Sequence, residues 1–98
     1  MGQAFPDDMI FQVDGQVIAQ HMDDDSTILI HMGSERIFKL NATSSELWIF
    51  LGQQLPLKTI YDHLLAHYEV DAAVLRQNMD ETLTQLLAEK MIAHDAGH

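Results

Sequence analysis

The sequence predicts an α+β domain in which a three-stranded antiparallel sheet is followed by three helices. Two observations predict it. Short β-rich runs separated by tight polar turns fill the first part of the chain, and the apolar period then switches from two to about 3.6. A third observation bounds the size. The chain has 98 residues, 47% of them hydrophobic, enough for one small core and not for two domains.

Residues Met1 to Asp14 are weakly patterned, and residues 1–15 are read as a weakly ordered N-terminal segment. Asp14-Gly15 is a turn signal. Gln16 to Met22 reads as the first strand, with Ile18 and Met22 on one face. Asp23-Asp24-Asp25-Ser26 is a polar turn. Thr27 to Met32 reads as the second strand, with Ile28, Ile30 and Met32 on one face. Gly33-Ser34 turns the chain again. Glu35 to Leu40 is the third strand, in which Phe38 and Leu40 alternate with Ile37 and Lys39.

Thr43-Ser44-Ser45-Glu46 has the spacing of a capping box and opens the first helix, which carries Leu47, Trp48, Phe50 and Leu51 and ends at Gly52. Pro56 opens the second helix, with Ile60, Leu64, Leu65 and Tyr68 at helical spacing. Glu69-Val70 is a short connection. Asp71 caps a third and longest helix that runs to about Lys90 along the stripe Leu75, Met79, Leu83, Leu86 and Leu87. Residues 93–98 read as a flexible tail, which leaves 16–92 as the domain. One sheet face must be covered, and the helices are the only cover available. The architecture is that of a winged helix-turn-helix.

Composition excludes several classes of function. The formal net charge is −10, with only five Lys and Arg. Phosphate backbones and anionic membrane surfaces are bound by cations, so neither nucleic acid nor membrane is an expected partner. There is no cysteine, which removes disulfides, thiol catalysis and cysteine-ligated metals and fits a cytoplasmic setting. The longest apolar run, Leu47 to Leu51, is far short of a membrane span. No secretion signal is read at the N-terminus. His63 and His67 stand one helical turn apart, but no third ligand is evident, and His63 is followed by Leu64 where a zincin has its Glu. Asp23 to Asp25 lack the glycine and the terminal glutamate of a calcium loop and read as a solvated turn. No phosphate loop or nucleophile elbow is present. The expectation is a non-enzyme with no metal and no cofactor.

The run Phe38-Lys39-Leu40-Asn41, followed by Leu47-Trp48, resembles the signature region of the PqqD-like family. The likeness continues through Ile60, Leu64, Tyr68 and Val70 into the long helix with Asp80, Leu83, Leu86 and Leu87, so that it covers about Gln16 to Ile92. The family commonly has a glycine at the end of the last helix, as a left-handed stop. Lys90 stands there, before Met91-Ile92, a departure that bears on the helix end and not on function.

The resemblance implies a recognition module for ribosomally made, modified peptides. Its partners would be the leader of a precursor peptide and a modifying enzyme, such as a radical SAM enzyme or a leader peptidase. The product could be a redox cofactor such as PQQ, a lasso peptide or another modified peptide. The leader would join the third strand as an extra strand, in a groove walled by the third helix.

An edge strand offers unpaired backbone groups to an extended peptide, while side-chain pockets give selectivity. The candidate edge is Arg36, Ile37, Phe38, Lys39 and Leu40, and the candidate wall is Leu75, Asn78, Met79, Thr82 and Leu83. Arg36 and Lys39 could pair with acidic leader side chains. Phe38, Leu40, Leu83, Leu86 and Trp48 also read as core. Two other functions share the architecture, a winged-helix transcription regulator and an enzyme-docking structural subunit. The third helix carries Asp71, Asp80, Glu81 and Glu89 against Arg76 and Lys90, the wrong balance for DNA. Both monomer and homodimer are compatible with the sequence.

Overall fold

The computed structural model describes residues 5–94. Strands β1 (Phe11–Val13), β2 (Val17–His21), β3 (Thr27–His31) and β4 (Arg36–Leu40) precede helices α1 (Ala42–Gly52), α2 (Leu57–His67) and α3 (Ala72–Ala88), and β5 (Ile92–His94) follows. Strands β2, β3 and β4 form the three-stranded antiparallel sheet, in that order. The expected strands and helices are all present.

Two strands were not expected. Phe11–Val13, within the segment read as weakly ordered, pairs antiparallel with Ile92–His94. The pairing extends into the region read as a flexible tail, whose last residues, 95–98, lie outside the described residues. Phe11 is fully buried, packs edge-on against Phe5 and makes a second ring contact with His94. These residues are ordered by packing across the length of the chain, which a local hydrophobic period cannot reveal.

Arg76 of α3 secures the same N-terminal stretch. Its Nη1 donates to Asp7 at 2.7 Å, its Nη2 donates to the Phe5 carbonyl, and its Nε lies 3.4 Å from Asp80. The guanidinium also sits 5.6 Å from the centroid of the Tyr61 ring. Burial pushes the Asp80 carboxyl up from its ordinary range, and Arg76 partly opposes the shift.

The helix ends follow from local chemistry. Asp71 caps α3 as expected, accepting from the N–H groups of Ala73 and Val74. The cap of α1 is a correction. Asn41, two residues before Thr43, accepts from Ser44 N–H at 2.9 Å, and Glu46 is left to accept from the Tyr68 hydroxyl instead. Gly52 lies inside the last turn of α1, and the left-handed residue beyond it is Gln54, at φ 58°.

At the end of α3, Lys90 adopts the left-handed conformation itself, at φ 59°. Its N–H donates to Leu87 O and the next N–H, of Met91, donates to Leu86 O, both at 3.0 Å. That pair of bonds is a Schellman stop, with Met91 fully buried beyond it.

The core lies between the helices and the inner sheet face. Leu29 and Leu40 from the sheet meet Leu47, Leu51, Ile60, Leu64, Leu83 and Leu86 from the helices. Each such side chain contributes roughly 1.5–3 kcal/mol through removal from water. Trp48, Leu40, Leu83 and Leu86 are core, as their apolar spacing predicts, and Phe38 packs partly against it. The inner face of β3 carries Thr27, Leu29 and His31, while Ile28, Ile30 and Met32 point the other way.

Candidate functional site

Strand β4 is an edge. One side pairs with β3 and the other has no strand beside it among the described residues. A row of backbone donors and acceptors is therefore open to an extended chain. The C-terminal end of helix α3 comes beside the start of β4. The first residue of β4, Arg36, meets Glu89 just past the last turn of α3, at 3.4 Å.

Beyond the last residue of β4 the surface opens into a cleft of about 290 Å³. Its floor is apolar and buried, formed by Leu47 of α1, Leu64 of α2, and Leu75 and Met79 of α3. Its polar lining is Asn41, Thr43 and Ser44 on one side and Asn78, Thr82 and Gln85 on the other. Ser44 Oγ and Thr82 Oγ1 approach to 3.4 Å and link α1 to α3 there. Val70 and Val74, both about half exposed, form the far rim with Tyr68. Glu81 is the one charged group in the lining. Such a surface has a dry floor for an apolar side chain and several neutral hydrogen-bonding groups around it.

The residues expected from sequence separate into three sets. Leu75, Asn78, Met79 and Thr82 line the cleft. Leu40 and Leu83 are buried core, and Phe38 is half-buried on the inner sheet face beside them. Ile37 and Lys39 lie on the outer sheet face, where Ile37 is 69% exposed, while Arg36 is held by Glu89.

The lining also includes residues not expected at the site from sequence: Asn41, Thr43, Ser44, Leu47, Leu64, Tyr68, Val70, Val74, Glu81 and Gln85. A signal for part of this set was present. Val74, Asn78, Glu81 and Gln85 recur at steps of three or four, one position from the core stripe of α3, and a valine in that polar row is out of place.

Tyr68 is fixed by its hydroxyl, which donates to Glu46. That bond, helped by partial burial, raises the phenol above its ordinary pKa. The tyrosine ring thus stands as a fixed wall at the end of the cleft. Of the histidine pair of α2, the His63 ring stacks on Phe50, with ring centroids 5.2 Å apart. Among the described residues no three His, Asp or Glu side chains come together as a metal-binding group. Asp24 accepts from the backbone and hydroxyl of Ser26 and so shapes the β2–β3 turn. No helix among the described residues is long and apolar enough to cross a membrane.

Comparison with known proteins adds two findings. Residues 26–92 match the family model described as coenzyme PQQ synthesis protein D (PqqD). The fold matches a solved structure described as TbiB1 in complex with the TbiA(beta) leader peptide, with a TM-score of 0.74. The two sequences are 24% identical, and the match covers 87% of this chain and 95% of that one. A search of curated proteins gives no match.

Proposed function

The chain belongs to the PqqD family, and from that premise we propose that it is a non-catalytic adaptor that captures the leader of a ribosomally made precursor peptide and presents it to a modifying enzyme. The observation that carries the reading is the open edge of β4 leading into the cleft of α3. An added strand satisfies its own backbone groups on β4, which gives affinity with little regard to sequence. Selectivity comes from an apolar side chain placed over Leu47, Leu64, Leu75 and Met79, with Asn78, Thr82 and Gln85 bonding around it. The protein whose fold this chain shares was solved with a leader peptide, which supports leader binding as the role of this chain.

The chemistry of the cleft fits binding better than turnover. Hydroxyls, amides and a lone carboxylate line it, with no paired base and nucleophile. DNA is a poor occupant, because Arg76 of α3 is already held by Asp7 and Asp80. A cysteine-free chain needs no oxidising compartment to fold, which fits action in the cytoplasm.

Strand addition is tested with leader peptides N-methylated at one backbone position at a time. In an added antiparallel strand only alternate N–H groups face β4. Methylation should therefore weaken binding at every second position and spare those between. Uniform tolerance, or no saturable binding of any leader, would remove the reading.

A further inference from the structure

The sheet β2–β3–β4 buries one face against the core and turns the other outward, and the outward face is apolar. Strand register aligns Ile18, Ile30 and Ile37 in one row across all three strands. Gln20, Ile28 and Lys39 form the next row. Met22 and Met32 continue the same face beyond the strand ends, by the alternation of side chains. Ile18 is 51% exposed and Met32 60%. An antiparallel sheet with one face in water ordinarily carries polar residues there. Single exposed apolar residues need no explanation, but a contiguous row across a sheet marks an interaction surface.

Charge narrows the occupant. The turn Asp23-Asp24-Asp25 stands at one end of this face and Glu35 at the other. A shallow depression there has Met22 and Ile28 in its lining beside the carboxylates of Asp23 and Asp24, with Lys39 the cation among them. That arrangement suits a Lys or Arg of a partner, with its stem on the apolar surface and its charge at the rim. A second copy of the chain, with the same acidic turns and a net charge of −10, would bring like charges together.

We propose that the outer face of β2–β3–β4 docks the modifying enzyme, through a complementary enzyme surface that is apolar at its centre and basic at its rim. The proposal rests on the adaptor reading above. The face lies on the opposite side of the sheet from α3, so enzyme and leader can be held together. A leader strand added to β4 would lie beside Ile37 and widen the surface.

The test uses the whole chain and each purified enzyme encoded beside its gene, with leader binding followed in parallel. Ile18→Gln combined with Met32→Gln alters the face far from the β4 edge. It should weaken enzyme binding at least tenfold and leave leader affinity and the melting temperature unchanged. Asp23→Lys, a surface change that leaves the row intact, should weaken enzyme binding and reduce its salt dependence. Undiminished enzyme affinity in both variants would overturn the proposal. So would failure of every such enzyme to bind the unaltered chain, or a homodimer that the double substitution dissolves. If no leader binds while enzyme binding still depends on Ile18 and Met32, the adaptor reading fails and the docking surface stands.

Discussion

Arg36, the first residue of β4, is tied to Glu89, the residue after α3, by an ion pair of 3.4 Å. The pair joins the two elements that border the candidate site, at the end away from the cleft. Both partners reach solvent, with the Arg36 side chain 66% exposed, so the bond is a weak one. Arg36→Ala and Glu89→Ala are each expected to change unfolding free energy by less than about 1 kcal/mol. Urea titration at low and high salt checks this, and a larger loss that persists in salt would show that the pair holds β4 in place.

Cleft and core should separate cleanly by mutation. Val74 is 52% exposed on the rim, and an acidic residue in the first turn of a helix is favourable to the fold. Val74→Glu should therefore leave stability within about 0.5 kcal/mol while weakening leader binding by about tenfold or more. Leu83→Ala, one of the expected site residues that proves to be core, should cost about 2–5 kcal/mol of stability. Thermal melts paired with peptide titrations distinguish the two. Equal losses of affinity and stability in Val74→Glu would place that residue in the fold and not the site.

Lys90 carries a conformational cost. A non-glycine residue in the left-handed region is disfavoured by roughly 1–2 kcal/mol, and glycine escapes most of that. Lys90→Gly should stabilise the domain by about 1 kcal/mol, equivalent to about 5 °C in melting temperature for a chain of this size. An unchanged or lower melting temperature would mean that the Lys90 side chain makes up for its backbone.

The Tyr68–Glu46 bond predicts an alkaline signature. The phenol is raised above its ordinary value in the folded state. The stability from this group is fully present below about pH 10, the ordinary tyrosine pKa, and is lost as pH rises through the higher folded value. Ultraviolet titration should show a tyrosine component ionising late. Tyr68→Phe should remove that component, and Glu46→Gln should move it back toward the ordinary range. A late component that survives Tyr68→Phe would contradict the assignment.

Much of the fold was legible because apolar alternation and helical stripes are local. Leu47, Leu64, Leu75, Met79, Leu83 and Leu86 announce the helix faces, and Asp71 announces a cap. The β1–β5 pair was not legible, since two strands of three residues each have no period and depend on contact between the chain ends. Strand β3 misleads in another way. Its apolar set Ile28, Ile30 and Met32 is the regular one in sequence, yet the covered face is Thr27, Leu29 and His31. Both faces of that strand are suited to burial, and only the position of the helices decides between them. The α1 cap shows a third limit, because Asn41 and Thr43 are both good caps and spacing alone favoured the wrong one. The site was legible in part for the same reason. The α3 wall follows from helical geometry, whereas Thr43, Ser44, Tyr68 and Val70 join it only through tertiary packing.

The most direct test of leader capture is an amide-shift titration of the isotope-labelled protein with short peptides encoded beside its gene. Strand addition predicts saturable shifts along Arg36–Leu40 and on the α3 wall from Val74 to Gln85, with new protection of β4 amides from solvent exchange. Shifts confined to other elements, or none with any such peptide while the fold stays intact, would contradict it.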